Sequence, residues 1–421
     1  MRRLLRAAFF ISIFSFVLVS PVLSEVGEGD LFSKPHRFFE FGIDTNFIFA
    51  NSSFGLKDVM KEHIEIDLKK ISHEMPSSGF KLGFQNSEKV FFDLNLSSRF
   101  RFSFFTELES SSHFAISKSL FDLLADGIAV GQSKKVDMTG YSDVFFDVGA
   151  SFQTIINYFG VKITPTYFIP LVYIPKTKAK ASLMTTEGGL IKGEAEADLD
   201  IYTAVDMYDF MEDEKSMDNL DLNVAKLLSS GGFDLSFEIE RNWIHALNVG
   251  LYTRIPVLPG TLKHKMNTRV WAYFYETNAL GYLDNTESHE KKHGHDDFTY
   301  SGANYKVWRP LRLGLNATYM PFGEWMKIKP RLGFAVREPY SGNAIFYPEY
   351  ALDFHFSFMR RIFNFNLGTA YQSQIFQHRF GISLNFRMFE IVTQASLCGT
   401  DLKASFDRNG YGAMFGVRFG L

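Results

Sequence analysis

The chain has one cysteine, Cys398, in 421 residues. A disulfide within the chain is therefore excluded, and so is a zinc site built on cysteines. Standing in an apolar stretch, Cys398 reads as a small packed residue. Charge of one sign is missing too: 44 Lys and Arg stand against 47 Asp and Glu, net −3, which leaves no basic surface for nucleic acid. After residue 24 no apolar run approaches the roughly 20 residues a membrane helix needs, so any membrane crossing must be made by strands. A Gly-x-Ser-x-Gly elbow, a His-Glu-x-x-His pair and a phosphate-binding glycine loop are all absent. The chain is accordingly read as neither an enzyme nor the holder of a cofactor.

What is present in excess is phenylalanine. There are 46 Phe and 18 Tyr, yet 22% of residues are charged and only 46% hydrophobic. Many large rings balanced by polar residues suit a sheet with one greasy and one wet face. The first 24 residues, MRRLLRAAFFISIFSFVLVSPVLS, carry Arg2, Arg3 and Arg6, an apolar run from Ala7 to Val19, and Pro21. With Val22 and Ser24 at the −3 and −1 positions, they predict an export signal cleaved before Glu25, leaving 25–421 as the mature domain.

The dominant period of the mature chain is two. Phe39, Phe41, Ile43, Phe47 and Phe49 share one strand face, with Glu40, Asp44 and Asn46 on the other. Phe100, Phe102 and Phe104 alternate with Arg99, Arg101 and Ser103; Val144, Phe146, Val148 and Phe152 with Asp147, Gly149, Ser151 and Gln153. The same alternation runs through Phe233–Glu240, Leu352–Phe358 and Phe380–Arg387. Successive strand side chains point to opposite faces, so each segment is an amphipathic strand. About fourteen such segments of roughly 8–12 residues are near the length a tilted transmembrane strand requires. The fold class predicted is all-β: a transmembrane antiparallel barrel, the one sheet that crosses lipid without an unpaired edge. Tyr158, Phe159, Tyr167, Phe168, Tyr319 and Trp325 fall near strand ends, where interfacial girdles form. The chain closes with Phe415, Val417, Phe419 and Leu421 on one face, similar to the C-terminal signal read by the barrel assembly machinery.

Two segments break the pattern. Residues 55–73 read equally as helix or strand, and 50–78 is a candidate plug. Residues 117–127 read as a short helix, with Ser117 or Ser119 as cap and Gly127 as stop. On the strand phase above, Arg99, Arg101, Glu238, Glu240, Asp353, His355, Arg379 and Arg387 are lumen-lining candidates, a mixed-charge set that would impose a field on passing solutes. The run DNTESHEKKHGHDD places His289, His293 and His295 together as weak metal candidates, though its charge reads first as a solvated outer loop. The acidic run 206–219 lacks calcium-loop spacing.

The segments FEFGIDTNFIFANSSFGL, SKSLFDLLADG, DVFFDVGASF, ITPTYFIPLVYIP, GFDLSFEIE, NVGLYTRIPVLPG, WRPLRLGLNATYMPFG and SLNFRMFEI resemble a spirochaete, treponemal-type family of predicted outer-membrane barrels. That family is similar in plan to the FadL-type fatty-acid transporters, although the Asn-Pro-Ala hatch signature is absent here. The resemblance implies an outer-membrane channel or transporter for small molecules, with hydrophobic nutrients such as fatty acids as expected cargo. Its expected partners are outer-membrane lipid, the assembly machinery and that cargo. A non-conducting structural or adhesive barrel is the alternative.

Overall fold

The computed structural model describes residues 30–33, 37–53, 68–185, 191–206, 224–244, 246–276, 290–295, 299–407 and 409–421. Alternating Phe and polar residues do become strands, and most are long. In chain order they are β1 (Phe39–Asn51), β2 (Phe80–Asn95), β3 (Phe100–Ile116), β4 (Ser133–Ile156), β5 (Phe159–Thr185), β6 (Ile191–Thr203), β7 (Gly232–Ile244), β8 (Leu247–Leu258), β9 (Gly260–Glu276) and β10 (Glu290–His295). Then come β11 (Thr299–Val307), β12 (Leu311–Tyr319), β13 (Pro321–Glu324), β14 (Met326–Arg337), β15 (Ile345–Phe358), β16 (Phe363–Gln372), β17 (Ile375–Phe386), β18 (Phe389–Gly399) and β19 (Gly410–Gly420). Helices α1 (Leu68–Glu74), α2 (Lys118–Asp126), α3 (Val224–Leu228) and α4 (Leu402–Phe406) lie between strands. None is long and apolar enough to cross a membrane.

β1 pairs with β2 on one side and β19 on the other, Phe41 lying opposite both Phe92 and Phe419. The sheet therefore closes on itself without an edge. It holds 18 hydrogen-bonded segments. Joining β8 to β9 across Pro259, and β11 to β12, gives a closed, all-antiparallel barrel of 16 strands. Periodicity had suggested about fourteen. The difference lies on one side of the wall, where the strands form two tiers. β5 pairs its first part, Phe159–Phe168, with β7 and its last part, through Thr185, with β6, while β9 carries β6 on one flank and β10 and β11 on the other.

One rim is built from short turns. Asn157 takes a left-handed φ of 55° between β4 and β5, and Met359 and Arg361 do the same between β15 and β16, where Asn-type or strained residues let the chain reverse quickly. The other rim carries the longer connections and α1, α2 and α4. The segment read as helical over 117–127 holds α2. Its Ser117 hydroxyl bonds the Ser119 hydroxyl at 2.7 Å and accepts the Asp137 N–H at 3.0 Å rather than capping the helix. Of the candidate plug 50–78, residues 54–67 lie outside the described residues; α1 packs against α2, Ser72 donating to Asp122.

The outside of the barrel is apolar. Phe41, Phe92, Phe104, Leu315, Leu332, Phe380 and Phe415 are exposed there, and their strand neighbours Asp44, Glu107, Arg379 and Ser383 are buried inside. Lipid is the solvent that suits such a surface. At the turn rim Tyr158, Phe159, Trp243, Tyr319, Phe322 and Trp325 are exposed as a girdle, with Phe322 stacked on Trp325 at 5.5 Å. Phe168 departs from the girdle expectation. On β5 it shares the inward parity of Lys162 and Thr166, and it meets Phe145, inward like Asp143 and Asp147 on β4, edge to face at 5.7 Å.

Candidate functional site

Inside the barrel, two levels differ in how completely the side chains fill the bore. Toward the loop rim lies a layer of buried charge. Arg309, two residues before the start of β12, is 1% exposed. Its Nη2 donates to Glu109 at 2.7 Å and Asp147 at 2.8 Å, and its Nε lies 3.4 Å from Asp234. Its guanidinium also sits over the Phe145 ring at 4.6 Å. Strands β3, β4 and β7 each supply one carboxylate to this single cation, which ties distant parts of the wall together across the bore. Beside it Arg312 approaches Glu349 at 3.7 Å. Arg337 reaches Asp143 at 3.1 Å and Glu338 at 3.3 Å, and lies over the rings of Tyr141 and Tyr173. The Tyr173 hydroxyl donates to Glu338.

Toward the turn rim the bore opens into a cavity of about 540 Å³, next to a second of about 270 Å³. Inward-facing rings widen it by lying flat against the wall. Phe91 rests on Gly42 and Phe105 on Gly149, the residues directly opposite them in register. A Cβ at either glycine would fall 2.2–2.3 Å from the ring, so only glycine permits that approach. The first described residues of the chain enter this cavity. The Glu240 carboxylate accepts the backbone N–H of Asp30 at 2.6 Å and of Leu31 at 2.7 Å. Gln153 Nε2 donates to the Leu31 carbonyl at 2.7 Å, and Lys327 pairs with Asp30. A few residues later Arg37 is gripped by Glu40 and Glu390.

Six of the eight lumen candidates from the sequence line these cavities or their walls. Arg101 and Glu238 line the larger cavity, Glu238 accepting from Asn316 at 3.1 Å. Glu240 binds the N-terminal segment as above. Arg379 holds Asp353 through two bonds of 2.8 Å, and His355 Nδ1 bonds Asn366 at 2.7 Å. Arg99 and Arg387 are placed differently: both are exposed in rim turns, 96–99 and 387–388, where alternation has already stopped. His293 and His295 belong to β10, whose backbone pairs with β9; His289 and most of the acidic run 206–219 lie outside the described residues. Cys398 is buried with Ile48, Ala50 and Ile375.

Periodicity did not single out Arg309, Arg337, Arg254 or Arg312. A usable signal was present for three of them, since Arg254, Arg312 and Arg337 occupy inward positions on β8, β12 and β14. Arg309 lies between strands, where alternation assigns no face.

Where the two tiers of the wall meet, β6 ends at Thr203 and β7 begins at Gly232, with residues 207–223 outside the described residues. Phe145, Phe168, Tyr173, Tyr202, Leu262 and Val307 form one apolar cluster there, with Ala204 and Tyr305 against it.

No family model and no curated protein matches the chain. Among solved structures it is similar to the Ralstonia pickettii toluene transporter TbuX, with 8% identity and a TM-score of 0.43 over 96% of this chain and 98% of that one. It is also similar to the P. putida toluene transporter TodX, with 9% identity and a TM-score of 0.42 over 93% of each chain. A third similarity is to the translocator domain of the autotransporter NalP from Neisseria meningitidis, with 7% identity, a TM-score of 0.31, and 94% and 91% covered.

Proposed function

We propose that this barrel stands in an outer membrane and moves small molecules through a bore held shut by the Arg309 layer. The carrying observation is the contrast inside the barrel: a roomy polar cavity on one side of a tightly paired charged layer. A purely structural barrel has no need for the cavity, and an open pore would lack the layer. Solute enters from the loop rim, and passage requires the ion pairs to part. An apolar route is also available at the junction of β6 and β7, where the Phe145–Tyr202 cluster supplies a lining for hydrophobic cargo, fatty acids included. Export by the signal at 1–24 and insertion by the barrel assembly machinery belong to the same reading.

The density of ion pairs around Arg309 and Arg337 favours one alternative, a non-conducting barrel whose loops serve adhesion or surface architecture. Refolded protein in planar bilayers and in proteoliposomes separates the two. Conductance steps or uptake of a labelled fatty acid above that of empty vesicles support transport. Silence in both assays, with the barrel shown to be folded, leaves the structural alternative.

A further inference from the structure

We infer that the larger cavity contains a seat for a small oxyanion, a carboxylate or phosphate group, formed by Arg101 and Lys162. Arg101 on β3 lies opposite Gln153 on β4, and Gln153 lies opposite Lys162 on β5. All three side chains line the cavity. Neighbouring inward positions on adjacent strands are about 5 Å apart, so two long cationic side chains flank the Gln153 amide, which holds the Leu31 carbonyl, and can converge on one anion beside it.

What sets these two cations apart is the absence of a mate. The cavity is lined by eight Lys and Arg against six Asp and Glu, and four of the eight cations are held in ion pairs. Arg37 is held by Glu40 and Glu390, Arg418 by Asp44, Lys327 by Asp30, and Arg361 by Glu324. Arg101, by contrast, has its Nε and Nη2 buried with no hydrogen-bond partner among the described residues. Asp30 and Asp93 act on it electrostatically without bonding it. Their own partners lie elsewhere, Lys327 for Asp30 and the Ser103 hydroxyl for Asp93. Lys162 faces Glu238 across the β5–β7 ladder and acts electrostatically on Asp93, whose carboxylate is bonded by Ser103.

A guanidinium offers five donors in a fixed fork that matches an oxyanion bidentately. Buried and unmatched guanidinium donors are uncommon in folded proteins and mark a place where a ligand supplies the acceptor. A cavity of about 540 Å³ falls in the range that takes a small organic molecule, so the seat suits a metabolite bearing one carboxylate or phosphate. As a binding site it stands without transport; as the site that selects cargo it rests on the transport reading.

The test is calorimetric titration of inorganic phosphate, and separately of succinate, into the full mature barrel refolded in detergent at constant ionic strength. Saturable binding of either is expected, weakened at least tenfold by Arg101→Gln and by Lys162→Gln. Arg361→Gln, which removes a guanidinium already paired on the same cavity, should bind as the unaltered protein does. Heat-modifiable migration on gels establishes that each variant is folded. Whichever anion binds more tightly names the group. The seat is overturned if neither anion saturates, if Arg101→Gln binds as before, or if Arg361→Gln weakens binding equally. A barrel that conducts without binding loses the seat and keeps transport; one that binds without conducting does the reverse.

Discussion

The two levels of the bore are lined by the same kinds of residue and behave differently. Around Arg309, three carboxylates from three strands converge on one guanidinium. Around Arg101, the charges stay on the wall, the rings of Phe91 and Phe105 lie flat on glycines, and space is left. Composition alone therefore does not decide whether a barrel is filled or hollow. The decisive factor is reach: Arg309 comes from the connection between β11 and β12 and crosses the bore, whereas Arg101, Gln153 and Lys162 sit in one row of the ladder and project side by side.

The sharpest way to break that contrast is to remove the crossing cation. Arg309→Met leaves Glu109, Asp147 and Asp234 buried beside one another without their shared partner. Stripping one member from a buried ion cluster costs about 3–5 kcal/mol. Urea unfolding of the refolded barrel should show a loss of that size, together with a rise in bilayer conductance. Arg418→Gln, which breaks a pair on the cavity wall, should leave conductance unchanged. An Arg309→Met barrel as stable and as silent as the parent would end the claim that this layer closes the bore.

A smaller effect tests which way the rings point. Phe104 is 55% exposed on the outer face of β3, several residues up from the rim turn. Phe104→Arg puts a charge against acyl chains and should cost about 2–4 kcal/mol, read by the same unfolding assay in lipid vesicles. The same substitution at inward Phe91 on β2, which lines the wet cavity, should cost clearly less, and equal losses at the two positions would contradict the assignment of faces.

That assignment was largely legible in the sequence, because a period of two is enforced by strand geometry wherever one face meets lipid. Phe41, Phe92, Phe104 and Phe380 point where alternation put them. Three kinds of feature were not legible. Phe168 reads as part of a girdle pair, yet it keeps the inward parity of Lys162 and Thr166, and the phase of β5 changes only at the bulge beyond it, at Leu171. Arg99 and Arg387 were assigned by continuing the alternation past the end of a strand into a turn. The two-tier wall was hidden because β6, with its Glu194, Glu196, Asp198 and Asp200, and the His-rich β10 carry charge where a membrane strand carries Phe; hydrophobic period cannot see strands that stand in water. Arg101 illustrates the reverse case: its inward phase was readable, but its lack of a partner depends on where Asp30 and Asp93 are bound.

The cavity level can be perturbed more gently through Glu240. Its carboxylate accepts two backbone N–H groups at the start of the described chain, and Glu240→Gln replaces one accepting oxygen by a donor that faces a donor. A loss of about 1–3 kcal/mol is expected from one unmatched buried group, confined to the Asp30–Ser33 segment. Hydrogen exchange at the Leu31 amide should quicken while exchange in β3 and β4 stays slow. Unchanged protection at Leu31 would show that Gln153 and Lys327 alone hold the segment.

The smallest effect lies outside the membrane, where the comparison becomes one between buried and wet charge. On α2, Lys118 donates to Asp122 one turn away, and Ser72 of α1 donates to the same carboxylate. The Lys118 bond first, and the Ser72 bond after it, hold the Asp122 carboxyl below its ordinary range. A carboxyl depressed in the folded state stabilises above its unfolded value, near 3.9, and that contribution is lost as pH falls through the lower folded value. The α1–α2 contact should therefore be indifferent to pH between about 5 and 8 and loosen only in stronger acid. Because the pair is partly exposed, Asp122→Asn should cost only about 0.3–0.5 kcal/mol at pH 7, and less in high salt. Proteolysis of the β1–β2 and β3–β4 connections on intact barrels reads it directly: acid should speed cleavage in the parent and not in Asp122→Asn, while an acid effect of equal size in both would assign the sensitivity to another group.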